Sequence, residues 1–362
     1  MMGGMRHAPF ILAFAFVVAA PAEAGQTAPP APRAQAPAPP KPAPSPPVPV
    51  TPENFPRAES DLNFAAVVKE GGLGKFVHRR DAVALDHQGV IRMNRDTLYS
   101  AAVFDLDAGP VTITLPDPGK RFFSMQIVDE DADTPEVVYA PGATTLTRAA
   151  IGSRYALAAV RIFVDAADPK DVEAVRALQN AIRIDQPGGP GGFSVPNWEA
   201  ASQVDVRTGL MVLAETLPDT KGLFGARGAG DPVRRLIGAG AAWGGLPEAD
   251  ALFVNVVPER NDGLTVHRLT LKDVPVDGFW SVSVYDADGR FAPNPQKAYT
   301  VNSVAAVASP GGAVVIQFGG CDGRVANCLP TPPDWSYLAR LYRPRAALLS
   351  GAWKLPAAEP TP

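Results

Sequence analysis

One stretch of this sequence occurs twice. Residues 122–131 read Phe-Phe-Ser-Met-Gln-Ile-Val-Asp-Glu-Asp, and residues 279–288 read Phe-Trp-Ser-Val-Ser-Val-Tyr-Asp-Ala-Asp. Two aromatics, a serine, alternating apolar positions and an Asp-x-Asp ending recur in the same order. The lead-ins also match: Thr114-Leu115-Pro116-Asp117 before the first copy and Thr270-Leu271-Lys272-Asp273 before the second. A period of two is a strand signal, and the Asp-rich ending is a turn signal. A chain that carries one such unit in two distant places is constrained to build two similar β lobes.

Alternation divides each copy between two faces. Phe123, Met125 and Ile127 share one face, and Trp280, Val282 and Val284 are its counterpart. Both sets are apolar throughout and predict the lobe cores. The opposite faces carry Phe122, Ser124 and Gln126, and Phe279, Ser281, Ser283 and Tyr285. Such a mixed face is either covered by the other lobe or lines a cleft. The two copies differ there, Gln126 standing against Ser283 and Val128 against Tyr285, so a site is expected on these faces.

At 362 residues the chain is too long for one compact core, which predicts two domains. Strand signals cover 98–106, 111–115, 121–128, 137–139 and 154–164. Helical periodicity then takes over. Residues 169–182 open on Asp168-Pro169, a cap followed by a first-turn proline, and 197–217 and 231–242 follow. Strand signals resume at 251–257, 264–271, 279–285, 299–307, 313–318 and 335–341, with a terminal helical turn at 344–350. Residues 63–78 are helix-compatible but broken by Gly71, Gly72 and Gly74. The expected fold is mainly β: two β-sandwich or jelly-roll-like lobes, at 53–168 and 246–356, with an inserted helical segment at 169–245.

Ahead of the lobes, Arg6 and His7 precede an apolar run over 10–20 and then Pro21-Ala22-Glu23-Ala24. That is the pattern of a signal peptide, residues 1–24, cut after Ala24. Residues 25–52 carry proline at almost every second position and read as an extended linker reaching about 85 Å. The expected location is periplasmic or secreted. Two cysteines agree with it: Cys321 and Cys328 flank a turn-rich hexapeptide and predict a disulfide. No later segment reads as transmembrane. Net charge is −4 with no basic cluster, which argues against a nucleic-acid partner.

Several residues could carry chemistry. Asn94-Arg95-Asp96-Thr97-Leu98-Tyr99-Ser100 concentrates polar groups at the start of a strand; Arg95 suits a bidentate anion, while Asn94 and Asp96 also suit turn hydrogen bonds. His267 shares a strand face with Leu269 and Leu271, as a core histidine or a general base. Asp129, Asp131 and Asp133 have the alternating spacing of a calcium loop. Thr134 and Ala140 stand where that loop needs Gly and Glu, so a solvated turn is expected. His78 and His87, with Asp81 and Asp86, lack any metal-site spacing. Neither metal nor cofactor is expected. G-x-S-x-G, S-x-x-K, H-E-x-x-H and Walker motifs are absent.

Met93-Asn94-Arg95-Asp96-Thr97-Leu98-Tyr99-Ser100, followed by Phe104-Asp105-Leu106 and Gly109-Pro110-Val111, resembles the bacterial domain-of-unknown-function family 1254. Residues 278–286, with Asn294-Pro295, Tyr299 and Arg340-Leu341-Tyr342-Arg343-Pro344, resemble family 1214. The resemblance implies paired β-sandwich or jelly-roll lobes joined by helices. Some relatives carry a carboxylesterase label, but the family supplies no agreed catalytic residues. The leading expectation is an exported protein that binds a small molecule or saccharide-like ligand in an inter-lobe cleft lined by Arg95, Tyr99, Trp243 and Tyr285. The alternatives are a hydrolase using His267 as base with Asp96 or Asp250 as orienter, and a cell-envelope interaction module.

Overall fold

The computed structural model describes residues 45–217 and 219–361. The expected signal peptide and residues 25–44 of the linker lie outside them. In chain order the elements are α1 (Phe55–Lys69), β1 (Val77–His78), β2 (Thr97–Asp105), β3 (Val111–Leu115), β4 (Phe123–Asp129), β5 (Glu136–Tyr139), β6 (Gly142–Leu146), α2 (Arg148–Ile151), β7 (Tyr155–Phe163), α3 (Pro169–Asn180) and β8 (Arg183–Asp185). There follow α4 (Ala200–Ala214), α5 (Pro232–Ala241), β9 (Ala251–Val256), β10 (His267–Leu271), β11 (Trp280–Tyr285), β12 (Thr300–Asn302), β13 (Val314–Phe318), β14 (Cys328–Leu329), β15 (Ser336–Tyr342), α6 (Ala346–Leu349) and β16 (Glu359–Pro360). The mainly β expectation holds, with two sandwiches and inserted helices.

The duplication extends well beyond the repeated stretch. In the first lobe one sheet runs β1-β2-β7-β4-β5 and the other β6-β3-β8. In the second lobe the sheets run β12-β11-β15-β9 and β14-β13-β10-β16. Substituting β9 for β2, β10 for β3, β11 for β4, β12 for β5, β13 for β6, β15 for β7 and β16 for β8 reproduces the order. Each lobe therefore has an inner sheet built around the repeat and an outer sheet built around its lead-in strand.

Each sandwich is filled by the apolar faces. Phe123, Met125 and Ile127 pack with Val111, Ile113 and Leu115 from β3. Trp280, Val282 and Val284 pack with Leu269, Leu271, Ile316 and Phe318. At about 25 cal/mol per Å² of apolar surface, these two cores supply most of the drive to fold. Cys321 and Cys328 form the expected disulfide beside β14.

The helices cover part of the first lobe's inner sheet. Phe64 and Val67 of α1, with Trp243, pack on Ala101, Val103, Leu157 and Ala159. Behind them α4 and α5 close a second cluster with Phe55 and Ala58. Helix α1 starts earlier than residue 63, with Pro56 in its first turn, and the chain leaves it through Gly71 at φ 90°. Its apolar spacing is masked because Glu59, Ser60 and Asp61 are buried too. Distant partners meet them: Arg207 pairs with Glu59, the Trp243 indole donates to Ser60 Oγ and the Trp198 indole to Asp61 Oδ2, while Asp61 Oδ1 stays buried without a partner among the described residues. The end of the proline tract is also docked, since Val48 exchanges backbone bonds with Asn197 and Glu199, and Val50 is buried.

The mixed faces of the two inner sheets are covered. Ser124, Gln126, Phe279, Ser281, Ser283 and Tyr285 are all buried, and they meet at the boundary between lobes. Two aromatics from each lobe interlock there. Phe279 lies 5.2 Å from Phe122, 4.8 Å from Phe163 and 4.4 Å, stacked, from Tyr342. Gly278 permits this closeness: a Cβ there would stand 2.7 Å from the Tyr342 carbonyl oxygen. Truncating Phe279 to Ala empties the centre of this cluster. The expected loss is about 3–5 kcal/mol of unfolding free energy, measured by urea denaturation; a loss below about 1 kcal/mol would show that the lobes are held elsewhere.

Candidate functional site

The boundary between lobes is apolar on one side and polar on the other. The polar part is organised by two arginines at equivalent places in the duplicated sheets. Arg161 on β7 is the register partner of Ser124 on β4, and Arg340 on β15 is the register partner of Ser281 on β11. Both arginines are buried. Each begins an Arg–apolar–aromatic triplet, Arg161-Ile162-Phe163 and Arg340-Leu341-Tyr342. This recurrence is a visible signal that the expected site residues did not include.

Arg340 is tied on all sides. Its guanidinium donates to Ser283 Oγ at 2.9 Å, to the Tyr285 hydroxyl at 2.6 Å and to the carbonyl oxygens of Arg92 and Met93 at 2.8 and 3.0 Å. Burial opposes its charge, but Tyr285, Tyr342 and Asp96 more than offset that, and its pKa is raised. Tyr285 in turn donates to the Met93 carbonyl at 2.6 Å. The loop before β2 is thereby laid across the second lobe's sheet. Asp96, fully buried, accepts from Thr300 Oγ1 at 3.0 Å and Asn302 Nδ2 at 3.3 Å. Burial pushes its carboxyl up, against the pull of Arg340 and these hydrogen bonds.

Arg161 sits in a different setting. Across the first lobe's inner sheet, Tyr139, Ser124, Arg161 and Tyr99 form one continuous row on β5, β4, β7 and β2. Arg161 donates to the Gly244 carbonyl at 3.2 Å and lies over the Tyr99 ring. Burial lowers its pKa, against the tyrosines Tyr99, Tyr342 and Tyr139 around it. Ser124 Oγ and Gln126 Oε1 are buried without a hydrogen-bond partner among the described residues. Gln126 spends its amide hydrogens on Thr134 Oγ1 and the Gly245 carbonyl, both at 2.9 Å. Gly245 and Phe253 also border a cavity of about 20 Å³, room for one water.

The row reaches solvent at Tyr139. Its hydroxyl donates to Asp250 Oδ1 at 2.8 Å, and the exposed Arg343 lies over its ring at 4.4 Å. Burial raises the pKa of Tyr139, reinforced by Asp250. Burial also raises the pKa of Asp250, against Tyr139, Arg161 and Arg343. From the other side, the Asn94 amide bridges the hydroxyls of Tyr99 and Tyr342 at 3.1 and 3.0 Å.

The residues expected from sequence are thus partly brought together. Arg95, Asp96, Tyr99 and Tyr285 all reach the lobe boundary, Arg95 over the Tyr299 ring with its guanidinium on the Val83 carbonyl. Trp243 is elsewhere, against Phe64 and donating to Ser60 Oγ at 3.0 Å. His267 is on the second lobe's outer sheet, buried against the Trp335 edge with Nδ1 at 3.0 Å from the Thr265 carbonyl. It is not joined to Asp96 or Asp250, which lie at the inner sheets. Tyr139 and Arg161 were not expected as site residues; Ser124 stands on the mixed face where a site was expected, and Arg340 and Arg343 entered only as residues of the family resemblance.

The acidic turn corrects the expectation of a solvated loop. Asp129 is fully buried; its Oδ1 accepts the backbone N–H groups of Asp131 and Asp133. Arg227 pairs with Asp129 and Asp131 at 2.9 Å, and Arg57 pairs with Asp131. A groove of about 510 Å³ opens beside it, between the starts of α1 and α5. His78 bonds Ser100 Oγ at 2.8 Å, and burial lowers it to about 4, whereas His87 is exposed beside Asp86. Among the described residues no His, Cys, Asp and Glu group is placed to hold a metal ion, and no helix is long and apolar enough to cross a membrane.

Residues 73–150 match the model for a protein family of unknown function, DUF1254, and residues 257–346 match that for another, DUF1214. The crystal structure of the VPA0106 protein from Vibrio parahaemolyticus is similar at a TM-score of 0.66 and 16% identity, over 85% of this chain and 98% of that one. That likeness is one of fold. A putative uncharacterized protein from Burkholderia cenocepacia aligns over 85% of this chain and 87% of its own, at 13% identity and a TM-score of 0.46. No curated protein matches significantly. The first lobe of this chain carries the DUF1254 region and the second the DUF1214 region, in that order.

Proposed function

We propose that this is an exported protein that binds a small, hydroxyl-rich, saccharide-like molecule between its lobes. The observation that carries the reading is the row Tyr139–Ser124–Arg161–Tyr99, in which Ser124 Oγ, and beside it Gln126 Oε1, are buried without partners among the described residues. A buried polar atom left unpaired costs about 1–3 kcal/mol, so such atoms are kept where something completes them. A sugar hydroxyl can donate to Gln126 Oε1 and exchange a hydrogen bond with Ser124. The tyrosine rings along the row offer flat apolar faces with polar tips, which suits a ring that is apolar on one side. Entry is from the Tyr139 end, where the row meets solvent.

Export is supported by the basic-then-apolar N-terminus and by the Cys321–Cys328 disulfide, a bond that persists in oxidising compartments. Sequencing the N-terminus of the protein recovered from a periplasmic fraction should begin at Gly25; an intact Met1 in the cytosolic fraction overturns export.

Binding is tested by titration calorimetry of the wild-type protein against neutral hexoses and their disaccharides. Ser124→Ala removes a hydroxyl that nothing in the fold uses. It should leave the melting temperature unchanged or slightly higher, yet weaken ligand binding by about tenfold, the worth of one hydrogen bond. A panel with no binder, or a variant that loses stability and not affinity, counts against the site.

A further inference from the structure

We infer that the end of the proline tract is held to the body by a proton-operated latch: Asp61 lies under Trp198, and protonation of its carboxyl tightens the docking of residues 45–52. The latch is independent of the inter-lobe ligand. The docked segment is a short strap. The Val48 N–H donates to the Asn197 carbonyl and the Glu199 N–H to the Val48 carbonyl, both at 2.8 Å. The Asn197 amide donates to the Ser45 carbonyl at 2.7 Å, and the Val50 N–H to Ser202 Oγ at 2.9 Å. Trp198 is at the centre of this pairing, bridged to Val48. Its indole packs against the cluster that holds Val50, Phe55 and Ala58, and donates to Asp61 Oδ2 at 2.8 Å. Strap and anchor therefore meet at one side chain.

A buried carboxylate is a costly anchor. Asp61 is 1% exposed; one oxygen takes the indole hydrogen, and the other is buried without a partner among the described residues. A carboxylate so placed is disfavoured while charged and relieved when it takes a proton. The charges around it do not change that. On its own helix, Arg57 is committed to Glu130 at 3.1 Å and to Asp131 at 2.6 Å. On α4, Arg207 is paired with Glu59, and on α5, Arg235 is paired with Asp133. The β2 face beneath α1 is apolar, with Ala101 and Val103. Burial, reinforced by Glu130 and Asp131 and opposed by Trp198 and Arg57, raises the Asp61 carboxyl to about 6. Once the strap lifts and water reaches it, the carboxyl returns to its ordinary range near about 4. The docked state therefore holds the proton more tightly than the lifted one. Docking is strongest below the lower value and weakens as pH rises through the upper one, by about a hundredfold in all. Lifting adds residues 45–51 to the linker, so acidity sets how closely the linker is tied to the lobes.

Hydrogen exchange of the full chain, corrected for the intrinsic pH dependence of exchange, reads the latch. The amides of Val48, Val50 and Glu199 should be about tenfold better protected at about pH 5 than at about pH 8. The amide of Met125, in the core of the first lobe, reports global unfolding and separates it from lifting of the strap. Asp61→Asn keeps an acceptor for Trp198 and cannot ionise; it should hold the acid level of protection at both pH values. Glu130→Gln removes a neighbouring negative charge, so the midpoint of the pH dependence should move to lower pH. If Asp61→Asn does not fold, the Glu130→Gln midpoint decides. Equal strap protection at both pH values in the wild type, or a pH dependence that survives Asp61→Asn, overturns the inference. So does a midpoint that Glu130→Gln leaves in place or raises.

Discussion

The architecture depends on one buried cation. Arg340 lies at the centre of the second lobe's inner sheet, and two of its four hydrogen bonds end on carbonyl oxygens of Arg92 and Met93 in the first lobe. Taking a guanidinium out of water costs several kcal/mol, recovered only when its N–H groups find good acceptors. Here half of those acceptors come from the other lobe. Neither lobe can bury its mixed face alone without stranding a charge, so the two sandwiches are expected to unfold as one unit. The position of Asp96 follows from the same contact, because the loop that serves Arg340 delivers Asp96 to Thr300 and Asn302. The Asn94–Asp96 segment, read in the sequence as turn or site, is both turn and inter-lobe joint.

Much of the fold was legible because the duplication was. The period-two faces of residues 122–128 and 279–285 separate core from boundary as the structure does, with Met125 and Val282 in the sandwiches and Ser124 and Ser281 outside them. The strands missed, such as β6 and β8, have no strong apolar alternation; β6 holds its place by pairing with β3. Helix α1 was displaced because its Glu59, Ser60 and Asp61 look solvent-facing and are not. Their partners, Arg207, Trp243 and Trp198, are well over a hundred residues away. A local pattern cannot announce a polar group whose burial is made acceptable from so far along the chain.

The site was less legible for a related reason. Arginine in a strand reads as a surface residue, so neither Arg161 nor Arg340, although Arg340 belongs to the family resemblance, suggests a site on its own, whereas His267 does. Histidine has the more versatile chemistry, but its surroundings decide whether that chemistry is available. His267 is packed against Trp335 in the outer sheet, as a core histidine would be. The informative signal was relational. Arginine recurs at the same step of the same repeated strand, opposite the serine of the repeat, and only pairing the two copies brings it out.

The two copies also serve their arginines differently. In the second lobe Arg340 is served by Ser283 and Tyr285. The corresponding positions in the first lobe are Gln126 and Val128. Val128 brings no hydroxyl and packs instead with Val103 and Leu157. Gln126 turns its amide to Thr134 and Gly245 and leaves its carbonyl oxygen unused. One arginine is thus surrounded by hydroxyls of its own sheet and the other is not. Around Arg340, Ser283 and Tyr285 help tie the second lobe to the loop before β2. Around Arg161, Ser124 Oγ and Gln126 Oε1 are buried without a partner among the described residues, as Ser281 Oγ is beside Arg340, and the ligand proposed above would complete the pair in the first lobe.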